Sequence, residues 1–299
     1  MAGSTPASVT ADPRPVADPG RGGAVLRRVV TRPAGAVGLV LLLVVVVVSL
    51  AGPRLADNPF LLDNPSLQPP SPSHRFGTDN LGRDLFDAVV HGMRTSMTVV
   101  LWVTIISAVI GVAVGAAAGY RGGVVDRVLM RVTELFQSIP RFFLALLAMS
   151  VFERTLRNLI LVLGLTSWTF LARMVRAETL SIRTRDYVES ARSCGAGDLR
   201  IVLRHIVPNI LPTATVVISL GASRVILLEA GLAFLGLSDQ DRMSLGYLIN
   251  NAQQFLQQAW WMSVFPGVAI VVAVLGINLL ADTLNDVLNP LVARELAES

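Results

Sequence analysis

The sequence predicts an all-α membrane protein with six transmembrane helices and both termini on the inner side, N-in and C-in. Three observations carry this expectation. Of 299 residues, 53% are hydrophobic and 15% charged, against roughly 25% charged in soluble domains. Apolar runs long enough to cross a bilayer recur six times between polar segments. The arginines crowd into alternate connecting segments. So few charges cannot cover a water-soluble globule, and so much apolar sequence excludes disorder throughout.

Residues 1–33 are rich in Pro, Gly, Ala and Arg, lack apolar periodicity, and read as a mobile cytoplasmic N-terminal tail. Residues 34–51 form the first transmembrane helix, which at 1.5 Å per residue reaches roughly 27 Å. Ser49-Leu50-Ala51 resembles a signal cleavage site. The apolar run exceeds the roughly 7–15 residues of a signal core, so an uncleaved anchor is expected. Residues 52–95 are Pro-rich and polar and form an external loop with an amphipathic segment. Residues 96–282 make the core of five further helices, near 96–119, 128–151, 158–175, 210–235 and 262–281. The basic loop 176–209 lies inside this core, and 283–299 close the chain as a cytoplasmic C-terminal tail.

On this topology the external side holds only Arg54, Arg75, Arg83, Arg94, Arg154, Arg157 and Arg242. Most remaining arginines fall inside, as the positive-inside rule requires. Arg141 and Arg224 lie deeper, within spans. In the second span Gly111, Gly115 and Gly119 share one helix stripe. Close approach of another backbone and simple tolerance of glycine in membranes are both open readings.

The residue inventory excludes several functions. All 25 basic residues are arginine, so neither a Gly-Lys-Ser/Thr phosphate loop nor a Schiff-base lysine can exist here. Cys194 is the single cysteine, and His74, His91 and His205 show no metal-ligand spacing. No catalytic triad or metal constellation is evident, so no enzyme, no metal site and no cofactor site is expected in this chain. Nucleic acid is not an expected partner, because membrane topology explains the basic residues.

Between the fourth and fifth spans, Asp186 to Asp198 reads as a short helix, a glycine break at Gly195 and Gly197, and a second short helix stopped by proline at Pro208. Glu189 sits near a helix start, where the macrodipole favours it. A short amphipathic helix at a membrane face suits docking into a groove on a soluble partner.

This segment resembles the Glu-Ala-Ala loop of bacterial ABC importer permeases, here Glu189-Ser190-Ala191, then Gly195, Ile206 and Pro208. Ser190 stands for the usual Ala, and Ile206 to Pro208 is one residue short. Residues 74–95, with Gly77-Thr78-Asp79 and Gly82-Arg83-Asp84, are similar to the external segment of dipeptide and oligopeptide permeases. So are Tyr120 to Arg127, Glu229-Ala230 with Phe234 to Leu237, and the closing Asn278 to Asp282 with Asn289-Pro290. In the closing segment Ala281 replaces the usual Gly, and Asn285 and Asn289 the usual charged residues. The likeness covers roughly residues 30–292 and favours the C-type subunit of the dipeptide/oligopeptide (peptide/nickel) family.

The resemblance implies a type I importer permease fold in the bacterial inner membrane, with a cytoplasmic coupling helix. Tyr187, Glu189, Ser190, Ala191, Gly195, Ala196, Asp198, Ile206 and Pro208 would form the ATPase-coupling loop. The implied partners are a second homologous permease subunit, one or two ATP-binding cassette ATPases, an extracytoplasmic substrate-binding protein and the lipid membrane. ATP and Mg would be bound by partner subunits. The transported class would be di- or oligopeptides or a peptide-like substrate.

Two sets of charges remain open. Asp79, Arg83 and Asp84 either pin a short helix on the membrane surface or contact a substrate-delivery protein. Arg141 and Arg224 either border the pathway, where they would attract a substrate carboxylate, or pair with Glu134 or Glu229 across helices. An alternative function is a stand-alone secondary transporter or channel using Glu134 and Glu229.

Overall fold

The computed structural model describes residues 27–239 and 241–288. These residues build a helical bundle. Five helical stretches are long and apolar enough to cross a membrane, and one bent pair makes a sixth.

Helix α1, Pro33–Leu55, is apolar around its whole circumference and begins with proline in its first turn, where the missing N–H costs nothing. Val40, Leu43, Val47 and Leu50 are exposed, as befits a lipid-facing stripe. The opposite stripe carries Gly35 and Gly38 against Thr283 and Leu279. The expected tail stops short of Pro33. Residues 27–31 are already helical, Val29 is buried, and Arg32 pairs with Asp286 at 3.0 Å. The rest of that tail, 1–26, lies outside the described residues.

Helix α2, Leu85–Arg121, starts at the Asp84 cap, which accepts the Phe86 amide at 2.8 Å. The expected start was residue 96. No proline lies between the cap and Arg121, so the segment foreseen as a surface helix continues directly into the span. The glycine stripe of α2 resolves toward close approach. A Cβ at Gly111 would meet Leu171 Cδ2 at 2.9 Å, and one at Gly119 would meet Thr179 Cβ at 2.6 Å. At Gly115 it would run into the Ala172 carbonyl.

Helices α3, Gly123–Ser138, and α4, Arg141–Val151, meet at 82°. The third span, expected over 128–151 with interruptions at Glu134, Gln137, Pro140 and Arg141, is thus broken, and the break falls at Pro140. Ile139 is extended and Pro140 has ψ 127°, because a residue preceding proline is driven out of the α region. The fourth span is a pair, α5 at Leu156–Ser167 and α6 at Thr169–Ile182, joined at Trp168.

Two short helices follow, α7 at Asp186–Ser193 and α8 at Asp198–Ile201. A π turn over Val202–Ile206 then leads into α9, Val207–Phe234. The second short helix was expected to stop at Pro208, with Pro208 and Pro212 tolerated at a helix entry but not inside a helix. Pro208 does occupy the first turn of α9, where its missing N–H costs nothing. Pro212, however, lies inside that helix, and α8 runs into α9 through the π turn, in which the Val207 amide reaches back to the Val202 carbonyl. Helix α10, Leu245–Ala252, and α11, Trp261–Leu288, complete the described chain. Helix continues past 283, where a tail was expected, and residues 289–299, including Asn289, lie outside the described residues.

Helix α2 is the central post, packed against α1, α5, α6 and α9. A large core around Leu85, Val99, Met149, Leu163, Ile226 and Trp261 fills one end and the middle. A second core, with Tyr120, Val175, Val188, Ile201 and Ile206, fills the other end.

Candidate functional site

Three regions carry the residues singled out in the sequence: a cap at one end, a cavity at mid-bundle, and a loop at the opposite end.

The cap is residues 56–84. Gly77 and Gly82 adopt φ of 78° and 80°, which side chains resist. This lets the chain fold back so that the Thr78 hydroxyl donates to the Pro65 carbonyl at 2.7 Å and accepts the Gln68 amide at 2.9 Å. Asp79 is 2% and Arg83 4% exposed, and the two form an ion pair. One Asp79 oxygen also accepts the Leu81 and Arg83 amides, at 2.8 and 2.9 Å. Burial alone would lower the Arg83 guanidinium, but the Asp79 charge and its hydrogen bonds outweigh it and raise it. Asp84 receives His74 Nδ1 at 3.0 Å while capping α2. Trp261 Nε1 donates to the Thr78 carbonyl at 3.1 Å. Asp79, Arg83 and Asp84 therefore point inward, and with the Trp261 bond they fasten the cap to α2 and α11, while Asp57, Asp63 and Arg75 stay exposed.

The cavity lies between α2, α4, the α5–α6 junction, α9 and α11, with a volume of about 300 Å³. Thr104 and Ser107 reach it from the middle of α2, and Ser167 from the junction. Arg141 enters from the first turn of α4, Arg224 from α9 and Asn285 from α11. Leu171, Val216 and Leu220 supply apolar wall. Among the described residues no carboxylate lies within ion-pair distance of either arginine. The buried hydroxyls of Thr104 and Ser167 have no hydrogen-bond partner.

The two glutamates foreseen as their counter-ions are engaged elsewhere. Glu134 pairs with Arg131 at 3.0 Å on an exposed face. Glu229 is 1% exposed; its Oε2 accepts from Ser96 Oγ at 2.9 Å while its buried Oε1 has no partner, and Ser96 Oγ in turn accepts the Leu245 amide at 3.4 Å. Glu229 thus ties α9 to α2 and α10. Ser96 lies 133 residues from Glu229, and only a knowledge of helix rotation could have paired them.

The loop comprises α7, α8 and the π turn. Gly195 ends α7 with φ 80°, and the Ala196 amide returns to the Ala191 carbonyl at 3.1 Å, a glycine C-cap. Nothing crowds Gly195 or Gly197. Val188, Ile201 and Ile206 are fully buried beneath, with Ala196 packed against them. Tyr187, Glu189, Ser190 and Pro208 are exposed above, and Ala191 is half-buried. Leu199, which the sequence reading passed over, is 72% exposed beside them, and Leu203 is exposed as well. A leucine left out of an otherwise polar short helix was the available signal.

The loop is also fastened to the bundle. The Tyr120 hydroxyl, at the end of α2, donates to Asp198 at 2.8 Å. Arg183 donates to the Gly119 carbonyl at 3.0 Å. Arg176 and Asp126 form a two-bond ion pair between α6 and α3. Through these contacts and direct chain continuity, the loop connects to α2, α6 and α9, three walls of the cavity.

A bundle of membrane-crossing helices around a polar cavity, joined to a small helical platform at one end, defines an integral membrane transport component. Residues 111–294 match the family of binding-protein-dependent transport system inner membrane components, and the chain belongs to that family. It is 39% identical over 218 residues to the oligopeptide transport system permease protein OppC of Escherichia coli strain K12, covering 73% of this chain and 72% of that one. It is 33% identical over 257 residues to the dipeptide transport system permease protein DppC of Alkalihalophilus pseudofirmus, covering 85% and 84%. With the glutathione transport system permease protein GsiD of another Escherichia coli strain it shares 37% over 257 residues, covering 84% and 83%. Its fold is similar to a chain of the MetNI methionine ABC transporter in an inward-facing form. The TM-score is 0.55 at 20% identity, covering 68% of this chain and 96% of that one.

The protein is therefore a permease component of an ABC-type import system, an inner-membrane protein with several spans and not its catalytic subunit. The stand-alone transporter reading, with Glu134 and Glu229 as its ion sites, finds no support, since both carboxylates serve helix-to-helix or surface contacts.

Proposed function

We propose that the chain is one of two homologous permease subunits of a peptide importer, C-type, oriented N-in and C-in. A peptide or peptide-like substrate, delivered by an extracytoplasmic binding protein, passes along the face that carries the cavity. ATP and Mg are held by one or two ATP-binding cassette ATPases, and this chain hydrolyses nothing itself. The loop from Asp186 to Ile206 docks on an ATPase on the cytoplasmic side.

The observation that carries this reading is the loop's two-sided construction. Buried Val188, Ile201 and Ile206 make it a rigid body, while exposed Tyr187, Glu189, Ser190 and Leu199 leave its outer face free for a groove. Closure of the ATPases would displace this platform. Because α6 feeds into it, α9 leaves it through the π turn, and Tyr120 ties it to α2, such a displacement moves three cavity walls together. That is the requirement for alternating access driven from another chain.

The test is purification of the chain from its native membrane with mass spectrometry of its companions. A second permease and one or two ATPases are expected. Glu189→Arg and Gly195→Arg, which place a long cation on the outer face, should lose the ATPases and keep the second permease. Recovery of the chain alone, with uptake that needs no ATP, would overturn the reading.

A further inference from the structure

We infer that the mid-bundle cavity is a carboxylate subsite, in which Arg141 and Arg224 hold the C-terminal carboxylate of the peptide during its passage. This rests on the peptide-import reading above and adds the chemical group recognised and the residues that recognise it.

The first argument is cost. A guanidinium within a membrane span is unfavourable by several kcal/mol unless it has a counter-ion or a wet cavity. Here two of them line one cavity of about 300 Å³. Among the described residues neither has a carboxylate partner, and both candidate glutamates are committed to Arg131 and Ser96. Two like charges facing the same space repel each other, so a structural role would place an anion between them. The described residues supply none; Arg224 is exposed at the chain's surface, so the anion comes from outside the chain, and a peptide's carboxylate end is one.

The second argument is the set of neutral groups around the arginines. Thr104 and Ser167 carry buried hydroxyls without partners, Asn285 adds an amide, and the Ser107 hydroxyl, which donates to the Thr104 carbonyl at 3.1 Å, has lone pairs to spare. Buried hydroxyls are ordinarily satisfied. Here the Thr104 and Ser167 hydroxyls are left unsatisfied just beneath the cavity wall, where a side-chain rotation would present either one to an oxygen-rich ligand. The mixture of a few polar groups and apolar wall is that of a small-ligand site, at the small end of the usual size range. It fits one end of a peptide rather than a long chain.

The third argument is position. Thr104 and Ser107 lie at the middle of α2, and Ser167 at the break between α5 and α6. Helix breaks at mid-span are where transport proteins expose polar backbone to a substrate. Guanidinium is also the cation best matched to a carboxylate, since its planar donors bind both oxygens at once.

The experiment uses the complete transporter in proteoliposomes with saturating binding protein. Uptake of trialanine is compared with uptake of trialanine amide, which lacks the anionic end. The expected result for Arg224→Ala and Arg141→Ala is a fall in trialanine uptake of about tenfold or more, with a much smaller fall in trialanine amide uptake. Arg224→Lys should fall in between. Amide uptake serves as the measure that the variant is folded and assembled. If a variant fails to assemble, Arg224→Gln, which keeps a polar side chain without the charge, gives the same comparison. An equal fall for both peptides would overturn the carboxylate subsite while leaving peptide import intact. Uptake of neither peptide by the unaltered transporter, with ATP hydrolysis running, would overturn the peptide reading and this inference with it.

Discussion

The cap at 56–84 and the loop at 183–206 are built from the same residue types. Each holds aspartate and arginine close together, each turns on positive-φ glycine (Gly77 and Gly82 in the cap, Gly195 in the loop), and each links two long helices. They differ in where the charges point. The cap buries its ion pair, with Asp79 and Arg83 almost inaccessible, and the Asp79 carboxylate is spent on Arg83 and on the chain's own amides. The loop buries aliphatic side chains and leaves Glu189, Ser190, Gly195 and Leu199 uncovered. A connecting segment whose charges are satisfied internally is a fastener. One whose apolar side is satisfied and whose outer side is not is a docking surface. The difference predicts that substitutions in the cap act on stability and those in the loop act on partnership.

The largest effect is expected in the cap. Asp79→Ala removes the counter-ion and leaves the Arg83 guanidinium buried, which costs about 3–5 kcal/mol. Purified protein should unfold at markedly lower temperature, and membrane levels should fall. Arg83→Ala should do the same by stranding the carboxylate. Asp79→Ala expressing and melting like the unaltered protein would show that the cap's charges are outward-facing after all, and the comparison would collapse.

Much of this architecture was legible beforehand, and what was not shares a cause. The six apolar stretches, the glycine stripe on α2 and the position of the loop all follow from composition and local spacing. Local rules also showed that Pro140 and Pro208 would disturb helices. They did not show how. At Pro140 the chain turns by 82°, whereas at Pro208 it continues through a π turn into the first turn of α9. Which outcome wins depends on what packs around the break. The same limit applies to Glu229 with Ser96 and to the grouping of Arg141, Arg224, Thr104 and Ser167. Each pairing joins distant parts of the chain, and each depends on helix rotations that hydrophobic periodicity does not determine in segments apolar on every side. Leu199 was missed for a simpler reason: attention went to the charged and small residues around it.

A middle case sharpens the boundary between the two regions. Tyr120→Phe removes the hydroxyl that joins the end of α2 to Asp198. Asp198 is exposed, so water replaces the bond and the cost in stability is about 1 kcal/mol or less. The outer face of the loop is untouched, so the ATPases should still copurify. What should fail is transmission to α2: ATP hydrolysis continues while uptake falls several-fold. Uptake and hydrolysis falling in equal proportion would mean that Tyr120 only helps to hold the loop's shape.

The smallest effect on stability, and the cleanest separation of fold from partnership, is expected at Leu199. Its side chain is 72% exposed, so Leu199→Ser should shift stability by no more than about 0.5 kcal/mol, as surface substitutions do. In the assembled system the same leucine lies on the face proposed to dock, and burying a leucine contributes about 1.5–3 kcal/mol. Losing that contact weakens association by about tenfold or more. Titration of purified ATPase onto the permease pair should show this weakening, while the melting curve stays in place. A leucine exposed only to lipid headgroups would give the opposite pattern: ATPase affinity unchanged and membrane insertion altered. Because one substitution leaves the fold alone and the two readouts move independently, Leu199 distinguishes a docking surface from a solvated turn more sharply than any charge in the loop.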